Sequence, residues 1–148
     1  MPNSILISLN DSMSSRAVVD FITRLAFCPE DWAVTLLHIF RKPTASEELM
    51  GKKFTRELPS RFMSMLEKVK NTLIENGFHP ENIEIKMDTN NYPTVADGII
   101  EECKKKKYDM VVIGRKRMSK AEEFVLGDVS VKLVRALQGM AVLVVKSD

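Results

Sequence analysis

Two glycines with basic residues between them form the part of this chain best suited to bind a phosphate. Gly114 ends the apolar run Met110–Ile113, and Gly127 stands directly before a segment with helical spacing. A glycine at the end of a buried strand lets the chain turn sharply, and the free N–H groups that open a helix attract anions. The alternative is that both glycines serve only the shape of the backbone, since glycine is common in loops.

The loop after Gly114 is also rich in positive charge. Arg115, Lys116, Arg117 and Lys120 lie within six residues of each other. Such a run is usually a solvated surface, but these side chains follow a strand whose end faces the expected ligand edge. Anion binding and plain solvation both remain open interpretations of this loop.

The elements that must position these residues alternate along the chain. Short apolar runs are separated by stretches with apolar residues at helical spacing, which is typical of strands joined by helical crossovers. The pattern predicts an α/β fold, a doubly wound five-stranded parallel sheet with helices on both faces. The predicted strands are Ile5–Leu9, Ala33–Phe40, Ile83–Met87, Met110–Ile113 and Ala141–Val145. Ligands of such sheets bind outside the carboxyl ends of the strands, where the strand order reverses.

Some local signals refine this prediction. The third strand alternates apolar and charged residues, which indicates a position at the sheet edge with one wet face. Gly77 is placed as a helix C-cap, and Pro93 as a first helical residue. A helix is expected over Val129–Leu137, and the least regular segment, Arg41–Pro59, is predicted to be a loop beside the carboxyl edge.

Composition bounds the class of protein. A chain of 148 residues suits a single domain spanning 1–148, and its 45% hydrophobic and 28% charged residues are those of an ordinary globular protein. A net charge of +2 gives no support for a nucleic-acid or membrane partner. No apolar run approaches the ~18 residues of a membrane span, and the two cysteines suit a reducing compartment. We therefore expect a cytoplasmic protein.

Several segments of the chain resemble the universal stress protein family of the UspA type. Residues 5–12 are similar to the family's first strand and turn, which usually ends in Asp-Gly-Ser, and residues 34–39 are similar to its second strand. Gly127–Ser130, followed by Ala141–Val145, is similar to its carboxyl-terminal signature. The resemblance covers the whole chain and implies a Rossmann-like fold of the adenine nucleotide alpha hydrolase type.

The family's nucleotide motif is present only in part. Relatives that bind ATP carry Gly, two residues, Gly, nine residues, Gly and then Ser or Thr. Gly114 and Gly127 keep this spacing, but Arg117 stands at the middle glycine and Asp128 at the Ser/Thr position. Asn10 replaces the usual Asp, which contacts the nucleoside in ATP-binding relatives. The resemblance therefore implies a degenerate site, with weaker affinity or a preference for fewer phosphates.

By the same resemblance, Leu9, Asn10 and Ile39 would line the adenine. The phosphate side would use Gly114, Arg115, Arg117, Gly127, Asp128, Val129 and Ser130. The implied cofactor is ATP or another adenine nucleotide, with Mg²⁺ between Asp128 and the phosphates as an option.

The resemblance, together with these residues, implies three possible functions. The first is a small regulatory stress-response protein that binds an adenine nucleotide. The second is a nucleotide-free dimeric interaction module of the same family. The third, with the least support, is slow ATP hydrolysis, for which Asp128 is the one evident general base. The sequence identifies no catalytic residue and no metal-ligand set, and His38 is interpreted as a satisfied, partly buried histidine.

Self-association is expected at the last predicted strand. Ala141–Val145 is continuously apolar and would leave an open edge in a monomer. The family typically pairs this strand with its two-fold mate, so the resemblance implies an isologous homodimer. Protein partners other than a second copy are not indicated.

Overall fold

A five-stranded parallel sheet is the centre of the computed structural model, which describes residues 3–10, 12–25, 28–40, 49–115, 120 and 129–147. The strand order is β3-β2-β1-β4-β5, and all four neighbouring pairs are parallel. The predicted α/β sheet is thus confirmed. The strands are β1 Asn3–Ser8, β2 Trp32–Ile39, β3 Ile83–Asp88, β4 Met110–Arg115 and β5 Ala141–Lys146.

Helices cover both faces of this sheet. The helices are α1 Ser12–Leu25, α2 Lys52–Glu75, α3 Val95–Lys105 and α4 Val129–Ala136, with short 3₁₀ turns at Pro29–Asp31 and Pro80–Asn82. The apolar stripes of α1 and α2 form one core with the sheet, and those of α3 and α4 form a second core on its other face. No helix within the described ranges is both long enough and apolar enough to cross a lipid bilayer.

Helix α2 begins earlier than the sequence predicts. The segment Arg41–Pro59 was expected to be irregular, yet residues 52–59 are helical and Pro59 lies inside the helix. A proline removes one helical hydrogen bond, but Leu58 is buried and extends the stripe that continues at Leu66 and Leu73. Burial of that stripe outweighs the lost bond. Residues 41–48 of the predicted loop lie outside the described part of the chain.

The end of α2 is closed by the predicted glycine cap. Gly77 has a φ of 97°, and its N–H donates to the Ile74 carbonyl at 3.1 Å. The next residue, Phe78, donates its N–H to the Leu73 carbonyl at 3.1 Å. These two hydrogen bonds together are typical of a helix that ends in a left-handed cap. The chain turns back at this point, so that the ring of Phe78 packs edge-on against Trp32 at the start of β2.

Helix α3 starts two residues after the predicted position. Its N-cap is Thr94, whose hydroxyl accepts from the Asp97 N–H while the Asp97 carboxylate accepts from the Thr94 N–H. This capping box satisfies two N–H groups at once and therefore fixes the helix start at Val95, leaving Pro93 outside the helix.

A close approach between α3 and β2 depends on a glycine. A Cβ atom built on Gly98 would lie 2.7 Å from Cδ1 of Ile39 and 2.9 Å from its Cγ2. Ile39 is buried and β-branched, so its side chain has no room to move aside. The glycine therefore sets the distance between the helix and the sheet.

We expect Gly98→Ala to lower the free energy of unfolding by about 1–2 kcal/mol. Overpacking costs about 1–3 kcal/mol, and the better helix propensity of alanine returns up to about 1 kcal/mol. Urea unfolding of Gly98→Ala, Ile39→Ala and the double variant measures this. The double variant should lose less than the two single losses added together. Simple additivity would mean that the two side chains do not clash.

Candidate functional site

The strand order reverses between β1 and β4, and this places a ligand edge at their carboxyl ends. β1 leads into α1 on one face of the sheet, whereas β4 precedes α4 on the other face. A cleft forms at such a switch point because the two connections leave in opposite directions. Leu9 and Asn10 follow β1 directly, Ile39 ends β2, and Gly114 and Arg115 end β4.

Where β1 and β2 end, hydrogen bonds from side chains take the place of the backbone hydrogen bonds between the strands. The last regular bond joins the Leu9 N–H to the Leu37 carbonyl at 2.8 Å. Beyond it, the Leu9 carbonyl lies 2.9 Å from Nδ1 of His38, and the Ile39 N–H donates to Oδ1 of Asn10 at 3.4 Å. The Asn10 amide nitrogen donates in turn to the Ser8 hydroxyl at 3.1 Å. These contacts close the end of the β1–β2 pair without continuing the strands.

His38 is a structural residue in this arrangement. Its side chain is buried, and its ring stacks on Phe62 of α2 with the centroids 3.9 Å apart. Because a carbonyl can only accept, Nδ1 carries the proton in its bond to Leu9. The interpretation of His38 as a satisfied histidine agrees with these contacts, although the residue is buried more completely than expected.

The two predicted apolar adenine contacts lie in the cores. Leu9 is 1% exposed and belongs to the core under α1 and α2, whereas Ile39 is 2% exposed and packs against α3. Their side chains are therefore engaged in core packing on opposite faces of the sheet. Asn10 is half-buried at the carboxyl edge and is the polar side chain between them.

Gly114 remains in the strand. The sequence suggested a sharp turn at this residue, but β4 continues through Gly114 to Arg115, since both are paired with β5. The partners are Val145 and Lys146, and the Arg115 carbonyl accepts from the Ser147 N–H at 2.9 Å. This pairing holds the backbone extended, so the interpretation of Gly114 as the turn itself is wrong.

Helix α4 brings the last described candidates to this edge. Val129 and Ser130 are its first two residues, both half-buried. A helix that joins two parallel strands starts at their carboxyl edge, so the N-terminus of α4 faces the same side as Asn10 and Arg115. Three predicted residues, Arg117, Gly127 and Asp128, fall outside the described residues.

A buried polar network near β3 was not predicted. Glu102 of α3 is 4% exposed, and its Oε1 accepts from Nζ of Lys86 at 2.8 Å and from the Tyr108 hydroxyl at 2.9 Å. The Tyr108 hydroxyl also lies 3.3 Å from that of Thr35. The bond to Glu102 raises the pKa of Lys86, and burial raises the pKa of Tyr108. The signal available in the sequence was Glu102 itself, a charge three residues after Ile99 on the apolar stripe of α3.

The network borders an open groove of about 350 Å³ between β3 and α3. Its lining carries charges of both signs, from Lys86 and Lys105 and from Asp88 and Glu102. Asp88 is already engaged, since it accepts from the Asn90 N–H and the Tyr92 hydroxyl. The groove lies on the β3 side of the sheet, away from the switch point.

A second cluster of polar groups lies at the opposite edge of the sheet. Cys28, Glu30 and Asp31 are exposed and place one ligand atom each within 4.8 Å of the others. They precede β2, at the amino end of the strands, and so do not contribute to the switch-point site. The other cysteine, Cys103, is half-buried, and burial raises the pKa of its thiol to about 11.

Comparison with known proteins adds the following. The sequence model of the Universal stress protein family matches residues 1–146. A universal stress protein solved in complex with cAMP has 18% identity and a TM-score of 0.68, with 99% of this chain and 98% of that chain covered. No curated protein sequence shows significant similarity to the chain.

Two further structures have the same fold. A universal stress protein family protein from Arabidopsis thaliana with AMP bound has 18% identity and a TM-score of 0.68, covering 99% of this chain and 93% of that one. The universal stress protein from Archaeoglobus fulgidus in complex with dAMP has 14% identity and a TM-score of 0.55, with coverage of 99% and 98%.

Proposed function

Because the chain belongs to the universal stress protein family, we propose that it is a small regulatory stress-response protein that binds an adenine nucleotide at the switch point. The observation that carries this proposal is the arrangement of Asn10, Gly114 and Arg115 at the ends of the neighbouring strands β1 and β4. The relatives solved with cAMP, AMP and dAMP support an adenine nucleotide as the ligand class.

Recognition of the nucleoside would depend on Asn10. The side-chain oxygen Oδ1 of Asn10 accepts from the Ile39 N–H over a long distance, 3.4 Å. This hydrogen bond is therefore weak and can be exchanged for one to a ligand. The side chains of Leu9 and Ile39 are buried, and the Leu9 N–H and carbonyl are already bonded to Leu37 and His38, so Asn10 is the polar group that would exchange its partner for the ligand.

The phosphates would lie between the end of β4 and the start of α4. Arg115, Val129 and Ser130 border this space, and the sequence adds Arg117, Gly127 and Asp128. A carboxylate about 5 Å from a phosphate charge costs about 3 kcal/mol at an effective dielectric constant of about 20. Asp128 therefore favours ligands with fewer phosphates, and Mg²⁺ bridging it to the phosphates would remove much of this cost.

Calorimetric titration of the full chain with ATP, ADP and AMP, with and without Mg²⁺, tests the proposal. Without Mg²⁺ we expect AMP to bind more tightly than ATP, and we expect Asp128→Ser to tighten ATP binding by about tenfold or more, because the repulsion is removed. AMP affinity should change much less, since its single phosphate lies closer to the nucleoside.

The matched control is Asp31→Ser, which removes an exposed carboxylate at the opposite edge of the sheet and should leave all affinities unchanged. If no adenine nucleotide binds to the chain or to Asp128→Ser, the nucleotide proposal is wrong. If Asp128→Ser leaves the ATP affinity unchanged, the role given to Asp128 is wrong while the site itself stands.

A nucleotide-free interaction module is the second candidate. It is favoured by the engagement of Asn10 with Ser8 and Ile39, which occupies the side chain that would meet the nucleoside. Native mass spectrometry of freshly purified protein distinguishes the two candidates. Co-purified adenine nucleotide would exclude the empty module.

We also propose that the protein forms a homodimer through β5. Within the described residues β5 pairs only with β4, and its outer side is an open edge of apolar residues. An antiparallel pairing centred on Leu143 would set Val142 opposite the partner's Val144 and Ala141 opposite the partner's Val145. Lys146 then falls outside the apolar centre of the pair.

A further inference from the structure

Two positively charged residues are set side by side at the carboxyl ends of β4 and β5. The backbone register pairs Arg115 with Lys146, and the bond from the Ser147 N–H to the Arg115 carbonyl at 2.9 Å keeps the strands together up to this point. Neighbouring strands lie ~4.8 Å apart, so the two residues start from closely spaced backbone positions. Like charges at paired positions of a sheet repel each other. An anion that contacts both side chains would remove this repulsion.

Both side chains lie on the face of the sheet that α4 covers. Ile113 of β4 and Val144 of β5 belong to the core that α3 and α4 form with the sheet. Side chains alternate between the two faces along a strand, so the residues two positions later return to that face. These residues are Arg115 and Lys146. The two charges therefore lie on the side of the sheet where α4 begins.

Lys146 has no anionic partner among the residues that the structure describes. By contrast, Lys86 and Lys104 each lie 3.0 Å or less from a glutamate. An exposed lysine is usually a solvated one, so the position of Lys146 decides whether it has a role. It ends β5 at the same edge of the sheet as the proposed nucleotide site. Its charge is therefore available to a ligand at that edge.

The order of the strands gives the ligand a direction along this edge. Asn10, which would meet the nucleoside, follows β1, and β4 and then β5 are the next strands of the sheet. Arg115 is thus one strand away from β1, and Lys146 is two strands away. A phosphate bonded directly to the nucleoside would contact Arg115, whereas a second phosphate would extend as far as Lys146.

We infer that Lys146 binds the second phosphate of the nucleotide, so that this residue distinguishes a nucleoside diphosphate from a monophosphate. The inference rests on the nucleotide site of the proposed function and adds to it a residue of β5, outside the glycine motif. The Lys146 ammonium donates to a phosphate oxygen, and such a charge-assisted hydrogen bond is stronger than one between neutral groups. Arg115 holds the first phosphate, and the two positive charges then share one anionic ligand.

The start of α4 and Asp128 act on the same phosphates in opposite directions. The first N–H groups of α4 lie at this edge, on the same face as the two cations, and attract an anion. Asp128 directly precedes them in the sequence, and its carboxylate would repel the phosphates beyond the first. Lys146 opposes this repulsion, so its effect is expected on the diphosphate and not on the monophosphate.

Calorimetric titration of the full chain with adenosine, AMP and ADP, without Mg²⁺, measures the contribution of Lys146. Lys146→Gln should weaken ADP binding by about tenfold, because one charge-assisted bond is lost, and AMP binding by less than about twofold. Lys146→Arg should keep the ADP affinity within about threefold of the wild type, since the charge is retained. Adenosine carries no phosphate, so its affinity should not change. The matched control is Lys107→Gln, an exposed lysine at the opposite edge of the sheet, which should leave all three affinities unchanged.

The outcomes distinguish this inference from the site on which it rests. A wild type that binds none of the three ligands would overturn both the nucleotide site and the role of Lys146. A wild type that binds AMP but not ADP would overturn the role of Lys146 alone. So would an ADP affinity that Lys146→Gln leaves unchanged, or a loss of equal size for AMP and ADP. Lys146 is exposed, so its variants keep the fold, and circular dichroism would verify this.

Discussion

A Leu143→Lys variant is expected to be monomeric at concentrations where the wild type is a dimer. In the proposed register Leu143 lies on the two-fold axis, so the substitution sets two ammonium groups opposite each other in the middle of the strand pair. We expect the dissociation constant to rise by about two orders of magnitude or more, as for a like-charge pair at a desolvated centre. Size-exclusion chromatography with light scattering measures the change.

A backbone variant separates strand pairing from side-chain packing. The N–H groups of Ala141 and Ser147 donate to the adjoining backbone of β4, so the N–H groups of Val142 and Val144 point outward. Val144→Pro removes one outward N–H and no bond to β4, and should also yield a monomer. Leu143→Met keeps the apolar contact and serves as the control. A dimer that survives both Leu143→Lys and Val144→Pro would show that β5 is not the interface.

The second large effect is expected at the buried ion pair. Lys86→Met should lower the free energy of unfolding by about 2–3 kcal/mol, because Glu102 would keep its buried charge with the Tyr108 hydroxyl as its remaining partner. The loss of a fully buried partner costs about 3–5 kcal/mol, and the lower figure reflects the 34% exposure of the Lys86 side chain. Urea unfolding at neutral pH measures it.

A second substitution and the pH dependence identify the cause. Adding Glu102→Met to Lys86→Met should recover most of the lost stability, since no buried charge is then left. The folded-state pKa of Lys86 is raised above its ordinary 10.5. Its contribution is therefore complete below pH 10.5 and is lost as the pH rises through the folded value. The difference in the free energy of unfolding between the wild type and Lys86→Met should become smaller in that pH range. A difference that stays constant would contradict this account.

The main elements of the fold could be predicted from the periodicity of apolar residues. The five strands and the apolar stripes of the four helices consist of residues that must be buried, and the spacing of these apolar residues is visible in the sequence. The start of α2 could not be predicted, because Pro59 argues against a helix and only the burial of Leu58, which the sequence does not reveal, favours one. Local signals and tertiary packing conflict there, and packing prevails.

The location of the candidate site was predictable, but its contacts were not. The position of Asn10 and Gly114 follows from topology, since all strands of a parallel sheet end at the same edge. The bonds of Asn10 to Ser8 and of His38 to Leu9 depend on side-chain directions that no spacing reveals. The network of Glu102 joins β2, β3 and α3 and is equally invisible in the sequence.

The pairing of β4 with β5 extends to their last residues, where Arg115 lies beside Lys146 and accepts from Ser147. A nucleotide held at the end of β4 would thus be one strand away from the surface that joins two subunits. If that nucleotide prefers the paired form, then assembly strengthens nucleotide binding by the same factor, since linkage is reciprocal. The concentration of the adenine nucleotide and the concentration of the protein would then both shift the same equilibrium between monomer and dimer.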